Sequence, residues 1–155
     1  MLIQRLNKTD PETVLICCKN TWASAALTVG MPVMWDYVTD ADGIGVTQQV
    51  AAAAGQGGNA FAGIITTASI AADAYGLLQC YGHCAAILVH PTTGATTSTG
   101  NISKGQSLRP AIVAEFAMEP VAVSGTQANL FGFVIAGEAA LLWTGTAIKG
   151  FVKAM

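Results

Sequence analysis

A chain of 155 residues, 52% hydrophobic, 10% charged and with a formal net charge of −2, is the size of one ordinary domain but carries less than half the charge of a typical soluble one, about 25%. Lys104 and Arg109 are the nearest approach to a basic patch in the second half, so neither nucleic acid nor a membrane surface is an expected partner. The most apolar piece, Ala85 to Val89, is far shorter than the roughly 20 residues of a spanning helix, and Met1-Leu2-Ile3-Gln4-Arg5 has no apolar core or small-residue cleavage site of a signal peptide.

In chain order, residues 1–12 are polar, with Arg5, Lys8, Asp10 and Glu12, and read as an N-terminal arm. Residues 13–155 read as a single β domain. Thr13 to Lys19 is a continuous apolar strand, expected to be buried on both faces. Trp22 to Thr28 reads as a loop. Val33 to Val38 alternates like a strand and ends at the Asp40-Ala41-Asp42-Gly43 turn, from which Ile44 to Val50 pairs back. Gln48 to Ala54 reads as strand or short helix, because its alanines favour helix while Gly55 stops it at once. Phe61 to Thr67 is a strand, and Ser69 to Ala74 forms a helical turn capped by Ser69.

Tyr75 to Val89 reads as a hairpin-like unit with Gly82 between two β-compatible runs. Pro91 to Asn101 is a surface loop by composition, and Lys104-Gly105-Gln106 is a turn. Further strands are expected at Ile112 to Met118 and at Val121 to Val123, split by Glu119-Pro120. Leu130 to Ala136, Ala139 to Thr144 and Ile148 to Val152 complete the set. Short strands between glycine-rich turns predict a mainly β fold, a compact barrel or sandwich with at most one or two short helices.

Little chemistry is marked. His83 and His90 are the two histidines, no Gly-x-Ser-x-Gly elbow surrounds a serine, and His90 before Pro91 reads as a strand-end surface residue. Asp40-Ala41-Asp42-Gly43 lacks the further oxygen ligands of a calcium loop. Gly55-Gln56-Gly57-Gly58 lacks the Lys-Ser/Thr of a phosphate loop. The four cysteines, Cys17, Cys18, Cys80 and Cys84, read as reduced and buried thiols, since Cys80-Tyr81-Gly82-His83-Cys84 has no second ligand pair at zinc spacing. Catalytic residues, a cofactor and a metal are therefore not expected. What stands out is that Asp73 is the one charged residue between Gly43 and Ser103. Charges are depleted at the centres of interfaces, so this half is better suited to lying against protein than against water. The competing reading is a monomer whose Thr, Ser, Gln, Asn and Gly supply the polarity.

The segment Ala62-Gly63-Ile64-Ile65 followed by Ala71-Ala72-Asp73-Ala74-Tyr75-Gly76-Leu77-Leu78-Gln79-Cys80-Tyr81-Gly82, with Ile102-Ser103-Lys104-Gly105-Gln106-Ser107-Leu108, resembles small virion proteins of tailed bacteriophages, the capsid decoration or cement proteins. The resemblance covers roughly a third of the chain. It implies a non-enzymatic protein on the outer surface of a capsid, assembled in the host cytoplasm, that binds the major capsid protein and stabilises contacts between shell subunits. It also implies a homotrimer at a three-fold position, with a dimer as the competitor. Candidate interface residues are Leu2, Ile3 and Leu6 of the arm, together with Trp22, Tyr75 and Tyr81. A second reading is a soluble oligomeric β-rich module that holds a small molecule or sugar between strands.

Overall fold

The computed structural model describes residues 12–40, 43–48, 60–90, 100–111, 117–121, 132–134, 138–141 and 145–154. Among them there are thirteen strands and no helix: β1 (Thr13–Asn20), β2 (Leu27–Thr28), β3 (Pro32–Trp35), β4 (Gly45–Gln48), β5 (Phe61–Ile65), β6 (Ser69–Ile70), β7 (Tyr75–Val89), β8 (Gly100–Ile102), β9 (Ser107–Pro110), β10 (Met118–Pro120), β11 (Gly132–Val134), β12 (Glu138–Leu141) and β13 (Thr146–Lys153). The expected mainly β class is what the structure shows.

Nine strands pair in the order β1-β4-β3-β5-β7-β10-β9-β11-β13, and β7 also pairs with β1 and β13. Those two extra pairings close the sheet twice. β1, β4, β3, β5 and β7 form one ring, and β7, β10, β9, β11 and β13 form a second, with β7 common to both. Closure brings the two outermost strands of the order back onto β7, the device by which barrels limit the exposed N–H and C=O rows of an open sheet, with β1 joined to β4 through Lys19 and Asn20. The 15-residue length of β7 makes this feasible: its first half runs antiparallel to β1 and its second half antiparallel to β13.

Each ring has its own apolar filling. Cys18, Leu27, Val33, Val46, Ala62, Ile65, Ile70, Leu78 and Cys80 pack in the first. Phe61, Ile64, Cys84, Ile87, Val89, Leu108, Met118, Val134, Ile148 and Val152 pack in the second. Fully burying a side chain such as Ile65 or Leu108 contributes about 1.5–3 kcal/mol. β5 serves both cores: Ala62 and Ile65 face one, Phe61 and Ile64 the other. That explains why Phe-Ala-Gly-Ile-Ile carries no polar alternation.

Several expectations are corrected. β1 is not buried on both faces: Leu15 and Cys17 are exposed while Cys18 and Asn20 are buried, because only one face of a ring looks inward. Gly82 makes no hairpin reversal. It sits inside one continuous strand with φ +104, a single glycine being able to kink a strand where a two-residue turn would be needed to reverse it. Ser69 does not cap a helical turn but starts β6, which pairs with β2, so part of the expected loop at 22–28 is strand. β3 stops at Trp35 because the Asp36 side chain then captures the chain. Glu119-Pro120 does not split strands but lies within β10, where Glu119 stands opposite Arg109 of β9. The expected strand or helix at 49–54, the loop at 91–99 and most of the arm, 1–11, lie outside the described residues.

Candidate interaction surface

Residues paired directly across an antiparallel ladder share a face. Lys19 pairs with Tyr75, Cys17 with Leu77 and Leu15 with Gln79. Their partners one step along, Ile16 with Leu78 and Cys18 with Gly76, belong to the inward face of the first ring. The outward face of the β1–β7 ladder therefore carries a row of apolar groups. Leu15 is 48% exposed, Leu77 44% and Tyr75 64%, and Cys17 is exposed between them. Single exposed apolar residues need no explanation, but a contiguous row on one sheet face marks a contact surface.

The row ends in a cleft of about 560 Å³ lined by Lys19, Thr21, Thr39, Asp40, Gly43, Ile44, Asp73 and Tyr75. Three elements build it. Lys19 comes from the end of β1 and its amide donates to the carbonyl of Ile44 at 3.0 Å. The β3–β4 connection is held by two carboxylates. Asp36 is buried and accepts hydrogen bonds from the hydroxyls of Thr21, at 2.6 Å, and of Thr39. Burial alone would raise its carboxyl pKa, but these hydroxyls and the amides of Thr39 and Val38 outweigh it and hold it below the ordinary value. Asp40 accepts the amide of Gly45 at 2.7 Å.

The third wall is the turn before β7. Asp73 has φ +62 and its amide donates to the carbonyl of Asn20 at 2.8 Å. Asp is among the few non-glycine residues that tolerate this region. Asn20 is fully buried, and its side-chain amide donates to the carbonyls of Ile70, at 2.9 Å, and Ala25. Its side-chain oxygen accepts the amide of Trp22. Asn20 thus ties β1 to the turn that presents Asp73. The Lys19 ammonium lies 2.8 Å from the Asp73 carboxylate. That hydrogen bond, then the charge itself, raises the lysine's pKa above its ordinary value.

Of the residues singled out from sequence, Tyr75 stands on this surface. Trp22 is half-buried and packs against the first core. Tyr81 packs edge-on against Phe151 with ring centroids 5.0 Å apart, on the seam between β7 and β13. Leu2, Ile3 and Leu6 lie outside the described residues. Sequence reading missed Leu15, Leu77 and the cleft. The alternation that exposes Leu15 is hidden within an unbroken apolar run, and the cleft is assembled from three separate segments.

The remaining chemical candidates lie elsewhere in the fold. His90 is buried, not on the surface as expected, with its amide donating to the carbonyl of Met118 at 2.8 Å. The buried carboxylate of Glu119 lies 2.6 Å from the Arg109 guanidinium. All four cysteines are free thiols. Cys18, Cys80 and Cys84 are buried as expected, whereas Cys17 is exposed. Burial, and then the neighbouring Cys17, push the Cys18 thiol up to about 11, and burial raises Cys80 and Cys84. No group of three or more His, Cys, Asp or Glu residues suited to a metal occurs among the described residues.

No family model and no curated protein matches the chain. Among solved structures it is similar to the crystal structure of the head fiber gp8.5 N base in bacteriophage phi29, with 10% sequence identity over 92% of this chain and 96% of that chain and a TM-score of 0.49. At that level the likeness transfers nothing to this chain.

Proposed function

We propose that this chain is a structural virion protein of a tailed phage that self-associates and binds the outer surface of the capsid through its β1–β7 face, stabilising contacts between shell subunits without catalysis. The observation that carries the reading is the outward row Leu15, Cys17, Leu77 and Tyr75. It lies on the outward face of a ring closed through β7, and so offers association a strand face. Asp73 is the one charge between Gly43 and Ser103, which keeps much of the chain low in desolvation cost when it is covered. The sequence resemblance to decoration proteins supplies the capsid as the surface. Several weak apolar contacts per oligomer then act together by avidity.

Quantitative mass spectrometry of purified particles tests the virion assignment, and a simple molar ratio to the major capsid protein is the expected result. Light scattering of the isolated protein is expected to give the mass of a trimer of 15.9 kDa chains. The double variant Leu15→Glu with Leu77→Glu is expected to shift it to monomer and to abolish binding to empty shells. Absence from particles, or unchanged assembly and shell binding in that variant, overturns the reading.

A further inference from the structure

We propose that the cleft between the start of β7 and the β3–β4 connection binds a carbohydrate, with Tyr75 as the stacking platform and Lys19, Asp73 and Asp40 as the groups that hold ring hydroxyls. The composition of the walls selects the ligand class. Two carboxylates, Asp40 and Asp73, face one ammonium, Lys19. A phosphate or carboxylate ligand would meet two like charges, so an anion is disfavoured. A purely apolar ligand would strand the charged groups without partners. A hydroxyl both donates and accepts, so a sugar hydroxyl can give its proton to the Asp73 carboxylate while accepting from the Lys19 ammonium 2.8 Å away.

The aromatic wall completes the match. Tyr75 is 64% exposed, and its ring presents an electron-rich face suited to the polarised C–H groups on one side of a pyranose. The volume of about 560 Å³ falls within the range of small-ligand sites. Its open form leaves part of a ligand solvated, as the outer hydroxyls of a sugar require.

The backbone that carries the polar groups is also anchored before any ligand arrives. Asn20 anchors the turn carrying Asp73 through the carbonyl of Ile70. Asp40 is pinned by the amide of Gly45. Lys19 reaches Asp73, whose side chain is 83% exposed and open to a ligand. Such preorganisation lowers the entropy cost of binding a weakly attracted, hydrated ligand.

Saturation-transfer difference NMR with the methyl glycosides of glucose, galactose and N-acetylglucosamine tests the proposal on the intact chain. At least one is expected to receive saturation, strongest at the C–H face of the ring. Tyr75→Ala is expected to weaken that binding at least tenfold, and Tyr75→Phe to retain it. Asp73→Asn is expected to weaken it several-fold while preserving the turn, since Asn also tolerates positive φ. Tyr75 stands on the self-association face as well, so light scattering on the same samples and the monomeric double variant Leu15→Glu with Leu77→Glu, neither of whose residues lines the cleft, separate the two: a glycoside signal kept in that monomer supports the cleft, and one lost with the oligomer overturns it. No saturation of any of the three glycosides, equal saturation in Tyr75→Ala, or saturation of the peptide Gly-Lys-Gly in their place overturns it.

Discussion

Thr13 of β1 and Val152 of β13 are both in register with Gly82, one on each edge of β7. Tyr81 likewise pairs with Val14 on one side and Lys153 on the other, so the two rings meet on β7 at Tyr81 and Gly82, and Gly82 has no room for a side chain. A Cβ on Gly82 would lie 1.9 Å from the carbonyl oxygen of Glu12, and its φ of +104 is one that side chains disfavour.

Gly82→Ala is expected to lower stability by about 3 kcal/mol or more, combining backbone strain with a clash against rigid main chain. Gly105→Ala is the control. Gly105 also has positive φ, +79, but nothing lies within 4 Å of an added Cβ, so a loss of about 1 kcal/mol is expected. Urea unfolding midpoints compare the two. Equal losses would show that strain alone, and not the meeting of the rings, governs Gly82.

The thiols should separate by reactivity. Thiolate is the nucleophile, and a Cys18 pKa of about 11 leaves about one part in a thousand ionised at pH 8. Ellman's reagent on dilute native protein is expected to find one fast thiol per chain, Cys17, with Cys18, Cys80 and Cys84 reacting only after denaturation. Because Cys17 lies in the outward row, its rate should fall at concentrations where the protein self-associates.

Acid should loosen the β3–β4 connection. A carboxyl whose folded pKa lies below its unfolded value contributes stability above the unfolded pKa, and this is lost as pH falls through the folded one. Asp36 is such a group, shifted down from 3.8. Thr21→Val removes one of its donors and is expected to cost about 1.5–3 kcal/mol at pH 7, with the deficit shrinking as pH falls below the unfolded value of 3.8. Thermal melts of both proteins across that range check it, and a deficit independent of pH would contradict the assignment.

The sequence made the class legible because its turns are chemically explicit. Gly43, Gly105 and the Asp40 segment punctuate strands where the chain does turn or change direction. What it concealed was the side on which each strand is buried. Thr-Val-Leu-Ile-Cys-Cys and Phe-Ala-Gly-Ile-Ile look alike in composition. The second is buried on both faces because it lies between two cores, while the first turns Leu15 and Cys17 to solvent. Gly82 misled for a related reason: one glycine in a strand pattern signals a kink as readily as a turn. The cleft was illegible because Lys19, Asp40 and Asp73 are far apart in sequence and acquire a common purpose only when β1, the β3–β4 connection and β7 converge.

The double closure has a thermodynamic consequence. A stave shared by two barrels cannot leave one without opening the other. Detaching β7 from β1 and β5 breaches the first core, and the same strand then has to hold the seam with β13 and β10 without its neighbours. Local opening is thereby made expensive. Heat or denaturant has to breach two cores together, so the chain is built to melt as one body, although its apolar interior is divided in two.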